Sequence, residues 1–176
     1  ELISKLKKFN IKFYIDIEKK CEGFDWKLIA KSFKEKIEFS YIQPNYITVK
    51  GTLDMILNYQ PNSILLLGNG NIAKELALRL KLIDQEFKWT HPNNRTHSKN
   101  FYIMKTYFKS EYIDSLDNNF DCIINTIPKD NKINLEKIVN FKTNFIDVTG
   151  KSLDYLNNIK CNKIRFDISL HLINEI

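Results

Sequence analysis

The segment Gly68-Asn69-Gly70-Asn71-Ile72-Ala73 has residue types and a spacing suited to one piece of chemistry, the holding of a diphosphate against the backbone. Gly68 permits a tight turn, Gly70 removes a side chain where a phosphate must approach the chain, and Ala73 keeps a following helix close to the strand before it. The amides of the first helical turn and the positive end of the helix dipole would then face the anion. The same residues also build a plain strand-to-helix turn. Context favours binding, because the apolar run Ile64-Leu65-Leu66-Leu67 leads straight into the glycines and a helical pattern follows them.

A second constellation, Asn94-Arg95-Thr96 with Lys99, lies just after the next strand-like stretch. An NAD site places an acidic residue there to bond the ribose hydroxyls, and none occurs between Phe87 and Lys99. Arg95 can instead pair bidentately with a 2′-phosphate, with Thr96 adding a hydroxyl and Lys99 a charge. This predicts NADP(H) in preference to NAD(H). A third constellation, Asn125-Thr126-Ile127-Pro128, ends an apolar strand, and the carboxyl ends of strands in an open α/β sheet are where ligands sit. Its residues are equally those of an ordinary turn. Asp147-Val148-Thr149-Gly150 repeats the ambiguity at the next strand end, where Asp147 could face a cleft or Thr149-Gly150 could simply close a turn.

Taken in order, Gly68-Asn69-Gly70, Asn94-Arg95-Thr96-His97-Ser98-Lys99 and Asp121-Cys122-Ile123-Ile124-Asn125-Thr126-Ile127-Pro128 resemble the shikimate dehydrogenases and, more loosely, the glutamyl-tRNA reductases. The resemblance covers residues 63–148. It implies that Asn94, Arg95, Thr96 and Lys99 clasp the adenosine phosphate of NADP, and that Asn125, Thr126 and Ile127 run beside the nicotinamide. The chain departs from the family in a plainer glycine loop and in His91-Pro92-Asn93, which lengthens the connection before Asn94. The segment ahead of the loop is also shorter than the family's substrate domain. Lys50 and Asp54 do not match the spacing of that domain's catalytic Lys and Asp, so no catalytic residue is assigned.

The elements that must position these residues follow from hydrophobic period. Strand 63–67, helix 72–82 with Ile72, Leu76, Leu80 and Ile83 as its apolar stripe, and strand 87–90 come first. A weaker strand at 103–105, strand 121–126, helix 135–139, strand 144–148, a helical turn at 153–156 and strand 163–168 follow. Strand–helix alternation of this kind builds a parallel sheet covered by helices. The expected fold is therefore α/β, a Rossmann-like doubly wound, mostly parallel sheet over residues 61–176, with a small N-terminal α/β appendage in 1–60. In that appendage the pattern predicts a strand at 11–17, a helix at 26–37 capped by Asp25, strands at 39–42 and 46–49 separated by a turn at Pro44-Asn45, and a helix at 52–59. Trp26, Tyr41 and Tyr46 are expected in core packing.

Composition narrows the function further. A net charge of +6 could attract polyanions, but the lysines are scattered through an Asn-, Lys- and Ile-rich chain, which argues against nucleic-acid binding. No apolar run is long enough to span a membrane. Cys21, Cys122 and Cys161 are odd in number and lack ligand spacing, which fits a reducing cytoplasm and neither zinc nor disulfides. His91, His97 and His171 stand outside any triad or metal pattern and receive no proton-transfer role. The chain starts at Glu1 without a methionine or a signal pattern, as expected of a trimmed chain or of one domain of a longer protein. The leading expectation is an NADP(H)-dependent oxidoreductase acting on a small carbonyl or alcohol, with a homodimer as the assembly to test. The rivals are a non-catalytic NAD(P)-binding or sensing domain, and a Rossmann domain for S-adenosylmethionine or a nucleotide sugar.

Overall fold

The computed structural model describes residues 44–92, 98–116, 119–127, 138–149 and 161–165. These belong to a compact unit spanning Ile42–Ile176. Proline lacks an amide proton and is tolerated only in the first turn of a helix. Pro44 accordingly opens helix α1 (Pro44–Tyr59) rather than turning the chain between two strands. The stretch 46–49, expected as a strand from its aromatic and β-branched residues, is the start of this helix. Tertiary packing overrides propensity here: Thr48, Thr52 and Ile56 are buried at successive helical steps, and Thr52 Oγ1 donates to the Thr48 carbonyl at 2.7 Å.

From α1 the chain alternates as expected through β1 (Ile64–Leu67), α2 (Asn71–Leu82), β2 (Lys88–Thr90), α3 (Lys99–Tyr107), β3 (Cys122–Asn125), β4 (Asn144–Asp147) and β5 (Asn162–Arg165). The strands form one all-parallel sheet in the order β2-β1-β3-β4-β5. This is the Rossmann-like α/β arrangement. The stretch 103–105 is not a strand but the middle of α3, which Ser98 caps by accepting from the Phe101 amide at 3.1 Å. In place of a further strand beside β2, Tyr112 makes a single parallel bridge to Trp89. The Trp89 amide donates to Glu111 at 2.9 Å and the Ile113 amide to Trp89 at 3.0 Å. With that bridge counted, the chain builds outward from β1 through β2 to Tyr112 and then crosses back to β3. The topological switch point thus falls between β1 and β3.

Parallel strands must be covered on both faces, which is why these read as unbroken apolar runs. Ile64, Leu66, Cys122, Ile124 and Ile146 face one side, packed with Val49 and Ile56 of α1, Leu76 and Leu80 of α2, and Met104 of α3. Leu65, Leu67, Ile123 and Phe145 face the other, under Phe120, Ile127 and Ile138. The α2 stripe runs through Ala73, Leu76, Ala77 and Leu80, while Ile83, placed on it from sequence, lies just past the helix and is exposed. Of the helix expected at 135–139, Ile138 and Val139 are described and neither is helical; the others lie outside the described residues. The same holds for the elements expected at 11–17, 26–37, 39–42 and 153–156, for the end of strand 163–168, and for Asn94, Arg95 and Thr96. No helix among the described residues is long and apolar enough to cross a membrane.

Candidate functional site

Strand register brings Thr90, Leu67, Asn125 and Asp147 side by side across the carboxyl ends of β2, β1, β3 and β4. The loop Gly68–Ala73 leaves this edge at the switch point. Its two glycines are there for different reasons. Gly68 has φ +121°, donates its amide to the Thr90 carbonyl at 2.8 Å, and a Cβ built on it would collide with Thr126 Oγ1. Thr126 in turn donates its hydroxyl to the Leu67 carbonyl at 2.8 Å, so the ends of β3 and β1 lock the turn from two sides. Gly68 is demanded by the fold.

Gly70 is not. Its φ of −75° and ψ of −174° suit any residue, and among the described residues a Cβ built there meets nothing within 4 Å. It is the N-cap of α2, a position where Ser, Thr, Asp or Asn ordinarily satisfies the first amides, and it supplies no side-chain bond. A bare, uncapped helix start over open space is what the approach of a diphosphate requires. Ala73 is fully buried and holds α2 against the sheet, Asn69 is buried, Ile72 is half-buried, and Asn71 is exposed at the helix start. The loop residues therefore fit a dinucleotide.

Two side chains link this helix start to α3. Asn100 donates Nδ2 to Asn71 Oδ1 at 3.0 Å and accepts from Lys74 Nζ at 3.4 Å. Lys99, one residue before it, is exposed at the first position of α3. A lysine in the first turns of α2 opposes the helix dipole unless an anion offsets it.

At the ends of β3 and β4 the polar groups serve each other. Asp147 is fully buried, and its Oδ1 accepts from Asn125 Nδ2 at 3.2 Å, from the Thr149 amide at 3.2 Å and from the Thr149 hydroxyl at 2.8 Å. Asn125 Oδ1 accepts the Ile127 amide at 3.1 Å, and Asn125 and Ile127 are both buried. Asn125, Thr126 and Ile127 are thus brought to the switch point, with the Asn125 and Thr126 side chains bonded to the protein itself. The hub is Asp147. Its signal in the sequence was an Asp at one strand end in register with an Asn at the next.

No family model matches the chain, and no curated protein compared with it matches either. The residues alone carry the argument.

Sequence reasoning missed His91. It follows β2 directly and is 4% exposed, and among the described residues neither ring nitrogen has a partner in good hydrogen-bond geometry. The ring stacks on Phe101 of α3, with centroids 4.5 Å apart and planes 8° from parallel. Trp89 and Tyr112 approach edge-on at 6.1 and 5.8 Å. Burial is the main influence on its pKa and pushes it below the ordinary 6.5; the backbone of His91 itself opposes this most, the Lys105 ammonium adds to it and the Asp114 carboxylate opposes it. An imidazolium stacked on Phe101 would gain up to about 2 kcal/mol of cation–π attraction. Burying that charge with no well-aligned acceptor among the described residues costs on the order of several kcal/mol, so the neutral ring wins. Trp89 shows the usual arrangement instead: fully buried, it donates its indole N–H to the Phe108 carbonyl at 2.8 Å.

A groove of about 750 Å³ opens at the opposite edge, by the amino ends of β1, β2 and β3, where Ser63, Phe87, Lys88 and Phe120 meet the Lys81–Glu111 ion pair. It lies away from the glycine loop and from every site residue expected from sequence. Cys122 is buried in the sheet, and burial pushes its thiol up to about 12, which keeps it inert.

Proposed function

We propose that the chain binds NADP(H) and serves an oxidoreductase acting on a small carbonyl or alcohol substrate. The observation that supports this most strongly is Gly70: packing among the described residues gives no reason for a bare, uncapped residue there, whereas a diphosphate does. In this reading Gly68, Asn69, Gly70, Asn71, Ile72 and Ala73 take the pyrophosphate. Asn94, Arg95, Thr96 and Lys99 take the adenosine phosphate. Asn125, Thr126 and Ile127 border the nicotinamide end. Bound cofactor supplies hydride transfer, and the chain's residues bind and orient it. The absence of an acidic residue from Phe87 to Lys99 supports NADP(H) over NAD(H).

One observation favours a second reading, a binding or sensing domain without turnover. The polar side chains at the nicotinamide end, Asn125 and Thr126, are engaged in bonds within the protein. Arg95→Ala tests the phosphate assignment: titration should show NADPH binding weakened by about 1–3 kcal/mol and NADH binding nearly unchanged. An equal loss for both would remove Arg95 from the site. Parallel titration with S-adenosylmethionine separates the other nucleotide-like ligands, and turnover with carbonyl substrates separates enzyme from sensor.

A further inference from the structure

Trp89 of β2, Phe101 of α3 and Tyr112 of the segment after it close around His91, so one ring joins three elements. We propose that His91 is a proton-operated latch that fastens helix α3 to the carboxyl end of β2 and lets go when the imidazole is protonated.

The neutral ring needs only the flat faces and edges around it, and the Phe101 stack supplies them. An imidazolium carries two N–H donors; the backbone of His91 itself favours the charged ring, but among the described residues neither ring nitrogen has an acceptor in good hydrogen-bond geometry. Water would have to supply them, which requires the ring to leave its stack. The charged and titratable groups facing it are few. Lys105 on α3 disfavours the charged ring, and its ammonium is held 3.2 Å from the centroid of Tyr112. Beyond α3, Asp114 favours the charge, and Tyr112, pushed up to about 12 mainly by burial, stays neutral. Release would reach the glycine loop through the residue beside Phe101, because Asn100 bridges to Asn71 and Lys74 on α2. Only this last step rests on the proposed dinucleotide binding.

The experiment follows urea unfolding of the full chain from pH 8 to pH 5 for wild type and His91→Phe, alongside an NMR titration of the histidine rings. The folded pKa lies below the unfolded 6.5, so the stability of the wild type is complete above 6.5 and is lost as pH falls through the interval between the two values. Each unit of separation corresponds to a tenfold fall in the folding constant. His91→Phe, which keeps an aromatic ring and cannot titrate, should lack this loss. In wild type the His91 ring should titrate below 6.5, and the Trp89 indole signal should move with the same midpoint. Identical pH profiles for the two proteins, a His91 midpoint at or above 6.5, or an unmoved indole would overturn the latch. Should His91→Phe not fold, the wild-type NMR titration decides alone.

A binding arm tests the coupling. NADPH affinity should fall more between pH 7.5 and 5.5 in wild type than in His91→Phe; the variant is the reference because a phosphate monoester itself titrates near pH 6. Equal falls would sever the latch from the loop. If NADPH binds at no pH, the cofactor assignment fails while the unfolding and NMR arms still judge the latch.

Discussion

The carboxyl ends of β3 and β2 bury polar side chains in opposite ways. At β3, Asn125, Asp147, Thr149 and Thr126 share hydrogen bonds with each other and with the Ile127 amide and Leu67 carbonyl. At β2, His91 is also buried and has aromatic neighbours, but among the described residues no partner in good hydrogen-bond geometry. A satisfied polar cluster has one geometry, and breaking any member leaves others stranded. An imidazole held chiefly by aromatic contacts depends on staying neutral. The first corner holds its loop through hydrogen bonds within the protein, and the second makes the adjoining helix conditional on one proton.

Substitutions at the two corners should therefore differ in size and in pH dependence. Gly68→Ala should be the most damaging, because it combines a left-handed backbone with the collision against Thr126; about 3 kcal/mol of stability should go, read from urea unfolding. Adding Thr126→Ala should restore part of it by removing the collision and not the backbone strain. Asp147→Ala should cost about 2 kcal/mol, since it removes the buried acceptor shared by Asn125 Nδ2 and by the amide and hydroxyl of Thr149. His91→Phe should change stability by less than about 1 kcal/mol at pH 8, one aromatic ring replacing another that has no hydrogen-bond partner in good geometry among the described residues. If His91→Phe proved as costly as Asp147→Ala at that pH, the contrast between the corners would fail.

The sheet and the loop at its switch point were legible because both rest on local pattern: apolar runs such as Ile64–Leu67, a helical stripe after them and two glycines between. Helix α1 was half-hidden, because Tyr46-Ile47-Thr48-Val49 has the composition of a strand and only its packing makes it helical. Pro44 at its start suits a turn between strands and the first turn of a helix equally well. Lys99–Tyr107 was obscured by its mixed polarity, while its capping residue, Ser98, was visible in the sequence. At the site, the identity of Gly68 and Gly70 could be read from the chain, but their division of labour could not. It depends on Thr126, brought to Gly68 across 58 residues by strand pairing. His91 had no sequence signal at all, since its aromatic surroundings come from three separate elements.

The division between the two glycines gives the most direct test, because it separates what the fold needs from what a ligand needs. Calorimetric titration of NADPH into wild type and Gly70→Val, with urea unfolding of both, should show stabilities within about 1 kcal/mol and an affinity at least about tenfold weaker in the variant. Absence of heat from wild type with either NADPH or NADH, or undiminished binding by Gly70→Val, would contradict the account.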